Sequence, residues 1–178
     1  MSHKENWLEK HFDFDFPASK YVGFLRFLRE TPDKIETLVK HLPKEILVRR
    51  DQDSWSIQEY VEHFLTAESL FFGRLDDYEN DVPVLQAARF EDNPSDKANF
   101  NEWDLQRILA EFRAQREKYI QRLEAISPGD FEKAILHPRL KKPMRLCDML
   151  FFHVEHDQHH MTRIVELSEL WNVSQEAE

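Results

Sequence analysis

Leu146, Leu150, His153, Asp157, His160, Ile164, Leu167 and Trp171 follow one another at alternating spacings of four and three. That period marks one face of an α-helix. The same period runs through four other stretches. Residues 18–30 place Val22, Leu25 and Leu28 inward, and residues 32–42 place Ile35, Leu38 and Val39 inward. Residues 56–75 form a third stretch, and residues 104–126 a fourth, with Leu105, Leu109, Phe112, Tyr119, Leu123 and Ile126 on one face. Thr31-Pro32 predicts a helix restart with a kink or break, because Thr caps an N-terminus and Pro suits the first helical position. Ser56-Ile57-Gln58-Glu59 reads as a capping box that fixes where the second long helix begins. Ser127-Pro128-Gly129 ends the third.

Between these helices, residues 80–103 form a polar stretch that is long for a connection. It reads either as a flap over a site or as a plain surface link. Residues 131–145 read as a compact connector, and residues 174–178 as a frayed tail. With three glycines in 178 residues and a helical pattern almost throughout, the expected fold class is all-α, a four-helix bundle with short accessory helices. The length suits a single domain spanning residues 1–178.

The last helix carries the chemistry. Its inner stripe is apolar at both ends but holds His153, Asp157 and His160 in the middle, with His156 on the adjoining edge. Polar groups facing a core cost about 1–3 kcal/mol each when unpaired. Several together require mutual hydrogen bonds, a wet cleft or a metal. Residues four apart on a helix share a face, so His156 and His160 can grip one ion. The best candidate for a third ligand is His63, inside the helix that starts at Ser56. A single histidine on such a line is usually a satisfied core residue; beside the downstream pair it becomes a natural ligand. His153 and His159 are expected outside the ligand set, since His159 points about 100° away from His160 around the helix. Asp157 is a candidate for orienting a ligand from behind, and Glu68 a weaker one.

The segment from Trp55-Ser56 through His63 to Glu68, followed far downstream by His156 and His160, resembles the DinB-like superfamily of metal-dependent hydrolases. In that family Trp-Ser opens the second helix, a histidine follows about two turns in, and the last helix carries His-x-x-x-His. His137-Pro138 and the run His159-His160-Met161-Thr162-Arg163-Ile164 are also similar to the family pattern. The resemblance covers about residues 19–171. It implies a helical bundle binding one divalent ion through His63, His156 and His160. It also implies a hydrolase, or a transferase using a small cellular thiol, acting on a small molecule, and a homodimer. Many relatives have Gln where Arg163 stands and a Gly within the connector that here reads Arg139-Leu140-Lys141-Lys142-Pro143. Neither departure touches a ligand.

Imidazole donors suit zinc or nickel best, with iron or manganese as alternatives, and composition does not choose among them. Asp157 follows His156, so no His-Glu-x-x-His peptidase motif is present. The competing class is a helical stress-response or structural metal-binding homodimer without catalysis. With 24 basic against 34 acidic residues and a net charge of −10, there is no basic stripe for nucleic acid. Cys147 is the only cysteine, so no intramolecular disulfide forms, which suits a cytoplasmic setting. The charged N-terminal residues contain no signal-peptide core, and no membrane span is expected.

Overall fold

Four long helices build the computed structural model, which describes residues 7–50, 55–88 and 99–175. They are α1 (Tyr21–Val39), α3 (Ile57–Glu79), α4 (Leu105–Glu124) and α5 (Leu146–Gln175), with the single turn α2 (Lys44–Leu47) after α1. Helix α3 packs along α4 and α5, and α1 packs along the same two. The chain therefore crosses the bundle diagonally from α1 to α3 and again from α4 to α5. No helix among the described residues is long and apolar enough to cross a membrane.

The start of α3 follows from local chemistry. Ser56 Oγ accepts from the Glu59 amide at 3.2 Å, and Glu59 Oε2 accepts from the Ser56 amide at 2.8 Å. Ser56 Oγ also donates to Asn101 Oδ1 at 2.7 Å, which ties the entry of α3 to the segment before α4. Ser56→Ala is expected to lower unfolding stability by ~1 kcal/mol or somewhat more, read by urea denaturation.

Helix α1 does not break at Pro32. It runs unbroken from Tyr21 to Val39 with Pro32 inside it. Thr31 is not a cap, because its hydroxyl turns back to donate to the Phe27 carbonyl at 3.0 Å. Proline has no N–H for the carbonyl one turn earlier, that of Leu28. The Arg116 Nη1 of α4 donates to that carbonyl at 2.9 Å, which removes the main cost of a mid-helix proline. The expected inward Val22 is exposed. The tail is helical as far as Gln175, and residues 176–178 lie outside the described residues.

Residues 131–145 are more than a connector. A short 3₁₀ turn (Pro128–Glu132) leads into an antiparallel hairpin of β1 (Ala134–Leu136) and β2 (Pro143–Arg145). Val84 bridges to Leu136, and Arg74 Nε and Nη2 hold the Gln86 carbonyl at 3.1 and 3.0 Å. At the other end of the long polar stretch, Gln58 Nε2 donates to the carbonyls of Phe100 and Trp103 at 2.5 and 3.0 Å. Both ends of the stretch are thus anchored on α3, and the centre of the flap expected over residues 80–103, residues 89–98, lies outside the described residues.

Ahead of α1, residues from Trp7 onward lie along α5. Lys142 Nζ donates to the Phe12 carbonyl at 2.7 Å, Arg145 Nη2 to those of Phe14 and Phe16 at 3.0 and 2.9 Å, and Lys10 pairs with Glu155 at 2.8 Å.

The interior has two apolar clusters. One contains Leu28, Phe71, Tyr119 and Leu150, the other Ile35, Phe64, Phe112 and Ile164. Between Phe64 and Phe71 on α3, between Phe112 and Tyr119 on α4, and between Leu150 and Ile164 on α5 lies a buried polar layer.

Candidate metal centre

His63 stands on α3, and His156 and His160 stand one turn apart on the facing α5. Each of the three offers a ligand nitrogen within 4.8 Å of the other two. His63 Nε2 is 3.1 Å from His156 Nε2. Two ligands of a tetrahedral ion at ~2.0–2.1 Å would sit about 3.3 Å apart, so the donor set fits a divalent metal. Among the described residues no fourth His, Cys, Asp or Glu joins this group.

His63 and His160 are kept neutral, the form that ligates. Burial, reinforced by the neighbouring His156, pushes His63 down to about 3. Burial and then His156 and His63 hold His160 well below its usual value. Trp55 and Tyr60 line the margin, with ring centroids 4.8 Å from His63 and 5.6 Å from His160 respectively. Trp7, from the N-terminal segment, closes the other side at 5.6 Å from both His156 and His159. His63 shares its half-buried line with Tyr60, Ala67 and Leu70, at the edge of the core rather than inside it. That edge is where a site must open.

Behind the histidines the buried layer is an ionic cluster centred on Arg116. Its Nε donates to Glu68 Oε1 at 2.9 Å, its Nη2 to Glu68 Oε2 at 2.8 Å, and its Nη1 to Asp157 Oδ2 at 2.9 Å and to the Leu28 carbonyl. Nη2 also lies 3.0 Å from His153 Nε2, which therefore accepts and leaves the imidazole proton on Nδ1. All five guanidinium N–H groups are engaged. The second oxygen of Asp157 faces His156 Nδ1 at 3.3 Å. A carboxylate there fixes the His156 proton on Nδ1 and turns Nε2 toward His63. Burial works to raise the Asp157 pKa, but Arg116, His153 and His156 outweigh it and hold this carboxyl well below the usual range. Burial and the Asp157 charge push Glu68 the other way, against the pull of Arg116.

His153 and His159 are not part of the three-nitrogen group. His153 is fully enclosed and stacks on Phe71 at 3.5 Å, whereas His159 sits half-buried under Trp7. Arg116 and Trp7 are not among the residues that the sequence singles out, and Glu68 pairs with Arg116. Arg116 was detectable, because it occupies the inner stripe of α4 four residues after Phe112 and three before Tyr119. Trp7 had no such signal. Cys147 is buried, and desolvation together with Asp148 pushes its thiol up to about 12, leaving no reactive thiolate.

His137, at the end of β1, is 2% exposed. Its Nδ1 accepts from the amides of Arg139 and Leu140 at 3.2 and 3.1 Å. Burial first, then Arg74 and Arg139, push its pKa down to about 3. A depressed histidine contributes stability that is full above its unfolded value of about 6.5 and is lost as pH falls through that window, by up to ~1.4 kcal/mol per unit. Metal-free protein should therefore be less stable to urea at about pH 5 than at about pH 7, and His137→Asn should flatten part of that slope. An unchanged slope in the variant would contradict the assignment.

Comparison with known proteins adds three findings. The chain is similar over its whole fold to YfiT from Bacillus subtilis, described as a probable metal-dependent hydrolase with an unusual four-helix bundle topology. The identity is 19%, the TM-score 0.81, and the match covers 92% of this chain and 94% of that one. No curated protein matches the chain. The model of the DinB superfamily matches residues 28–164, a span that includes His63, His156, His160 and the whole Arg116 cluster. The chain belongs to the DinB superfamily.

Proposed function

We propose that His63, His156 and His160 hold one divalent metal, zinc or nickel before iron or manganese, and that the protein is a metal-dependent hydrolase or small-thiol-dependent transferase acting on a small molecule. The observation that carries this reading is the group of three imidazoles from two helices, with no fourth protein ligand among the described residues. Structural sites are closed by four protein ligands, whereas catalytic ones keep a position for the reactant. A divalent ion so held lowers the pKa of a coordinated water or thiol toward neutrality.

The chain's own residues supply the rest. Asp157 fixes the tautomer and orientation of His156, and Arg116 fixes Asp157. Trp7, Trp55 and Tyr60 give the opening an aromatic wall that limits water and suits a small, partly apolar reactant. The acidic chain argues against nucleic acid. YfiT, described as a probable hydrolase, has the same fold and supports the reading by analogy only. The test is a screen of esters, amides and epoxides, with and without glutathione, bacillithiol or mycothiol, on metal-loaded wild type and His160→Ala. Turnover in the wild type that disappears in His160→Ala is expected. Turnover that survives in the variant would refute the mechanism, and a closed, four-ligand site without turnover would favour a structural metal.

A further inference from the structure

Arg74 is almost completely buried, at 2% exposure. Its Nε and Nη2 are spent on one carbonyl, that of Gln86, and its Nη1 has no hydrogen-bond partner. No ion pair to it is present among the described residues. Asp77, whose charge acts on Arg74 through space, accepts from the Gln86 amide at 2.7 Å and from the Gln86 side chain at 3.2 Å. Burial lowers the Arg74 pKa to about 10, so the guanidinium remains charged at neutral pH. A buried cation that no carboxylate contacts directly is costly.

Three more buried donors without acceptors share this neighbourhood. His137 uses Nδ1 to accept two backbone amides, so its proton is on Nε2, and that atom has no partner. His153 carries its proton on Nδ1, also without a partner, and so does the hydroxyl of Tyr119. The four groups are linked through ring contacts. His153 stacks on Phe71 at 3.5 Å and lies 5.3 Å from Tyr119. Phe71 lies 6.4 Å from Phe152, whose ring is 5.5 Å from His137, and the Arg74 guanidinium is 6.0 Å from Phe71. Arg139, at the half-exposed margin, places a second guanidinium 5.8 Å from Phe152. Burial depresses the pKa of both His137 and His153, and the Arg74 charge adds to each shift, as expected of neighbours. By contrast, no buried carboxylate or amide oxygen among the described residues lacks a partner. The imbalance favours donors and positive charge, since the Tyr119 hydroxyl is the one unpartnered group of the four that can also accept.

We infer that Arg74 and His137, with Tyr119 and His153 beside them, form a binding subsite for a small oxyanion group, a carboxylate or phosphate. An acceptor-only ligand would satisfy Arg74 Nη1 and His137 Nε2 together and neutralise the guanidinium. The group belongs either to a free ion or to the acidic head of a molecule whose body runs along Phe152 toward His156, one turn further along α5. The subsite does not depend on the metal reading, because none of its residues is among His63, His156 and His160.

The test is titration of inorganic phosphate into wild type and into His160→Ala, followed by calorimetry and by NMR of the His137 imidazole and Arg74 side-chain N–H groups. Saturable binding with shifts at both residues is expected in both proteins. Arg74→Met should abolish it. His137→Asn, which keeps an acceptor for the two amides but removes the outer N–H, should weaken it at least about tenfold. Loss of binding in His160→Ala would mean that the anion sits on the metal, and would overturn the proposal. So would wild-type resonances that stay unmoved, since these donors then face only internal water. Acetate, butyrate and hexanoate separate the two sources. Affinity rising with chain length, with a shift at His156, assigns the acidic head of a larger molecule, and equal affinity assigns a free ion.

Discussion

Replacing either His63 or His160 by alanine is expected to abolish stoichiometric divalent metal, while His159→Ala retains it. The three ligand nitrogens come from two helices and lie within 4.8 Å of one another. Removing one leaves two imidazoles, too few to retain an ion against dialysis. His160→Ala leaves His63 and His156 across the helix pair, and His63→Ala leaves only the local pair on α5. His159 shares a helix with the pair but faces Trp7, so its loss removes an aromatic contact and no donor of the group. Metal analysis of the purified, untagged variants reads this directly. Equal metal in all three would show that the ion, if bound, sits elsewhere.

Arg116→Met is expected to be the most destabilising single change outside the ligands, by ~3–5 kcal/mol. The guanidinium is 1% exposed as a residue and holds two buried carboxylates, Glu68 and Asp157. Its removal leaves both without a counter-charge in a layer closed above and below by phenylalanines. It also frees the Leu28 carbonyl, which Pro32 cannot satisfy. Arg116→Lys should recover only part of the loss, since one ammonium cannot reach Glu68, Asp157, His153 and Leu28 at once. Urea denaturation measures both. A loss under ~1 kcal/mol for Arg116→Met would mean that the cluster is solvated rather than buried.

The outline of the bundle was legible because periodicity is local. The stripe from Leu146 to Trp171 is buried at every position, polar members included. The His156–His160 spacing was equally legible, because a helix sets the geometry of residues four apart. The polar layer was readable in principle but distributed. Glu68, Arg116 and Asp157 each interrupt the inner stripe of a different helix, and only the packing shows that the three interruptions meet. Pro32 illustrates the limit of local rules. It reads as a break, and it is the distant Arg116 that makes an unbroken helix acceptable. Trp7 and the hairpin at residues 134–145 were missed for the same reason, since they are held by contacts such as Lys142 to Phe12 and Leu85 to Leu136 that no short-range pattern encodes.

X-ray absorption spectroscopy of the untagged, dialysed protein, with its metal content measured on the same sample, decides whether His63, His156 and His160 hold an ion. One divalent ion per chain is expected, with imidazole scattering from three histidines at ~2.0–2.1 Å and an additional exchangeable light-atom ligand. A metal-free protein, or an ion whose shell contains four protein ligands or fewer than three imidazoles, would contradict it.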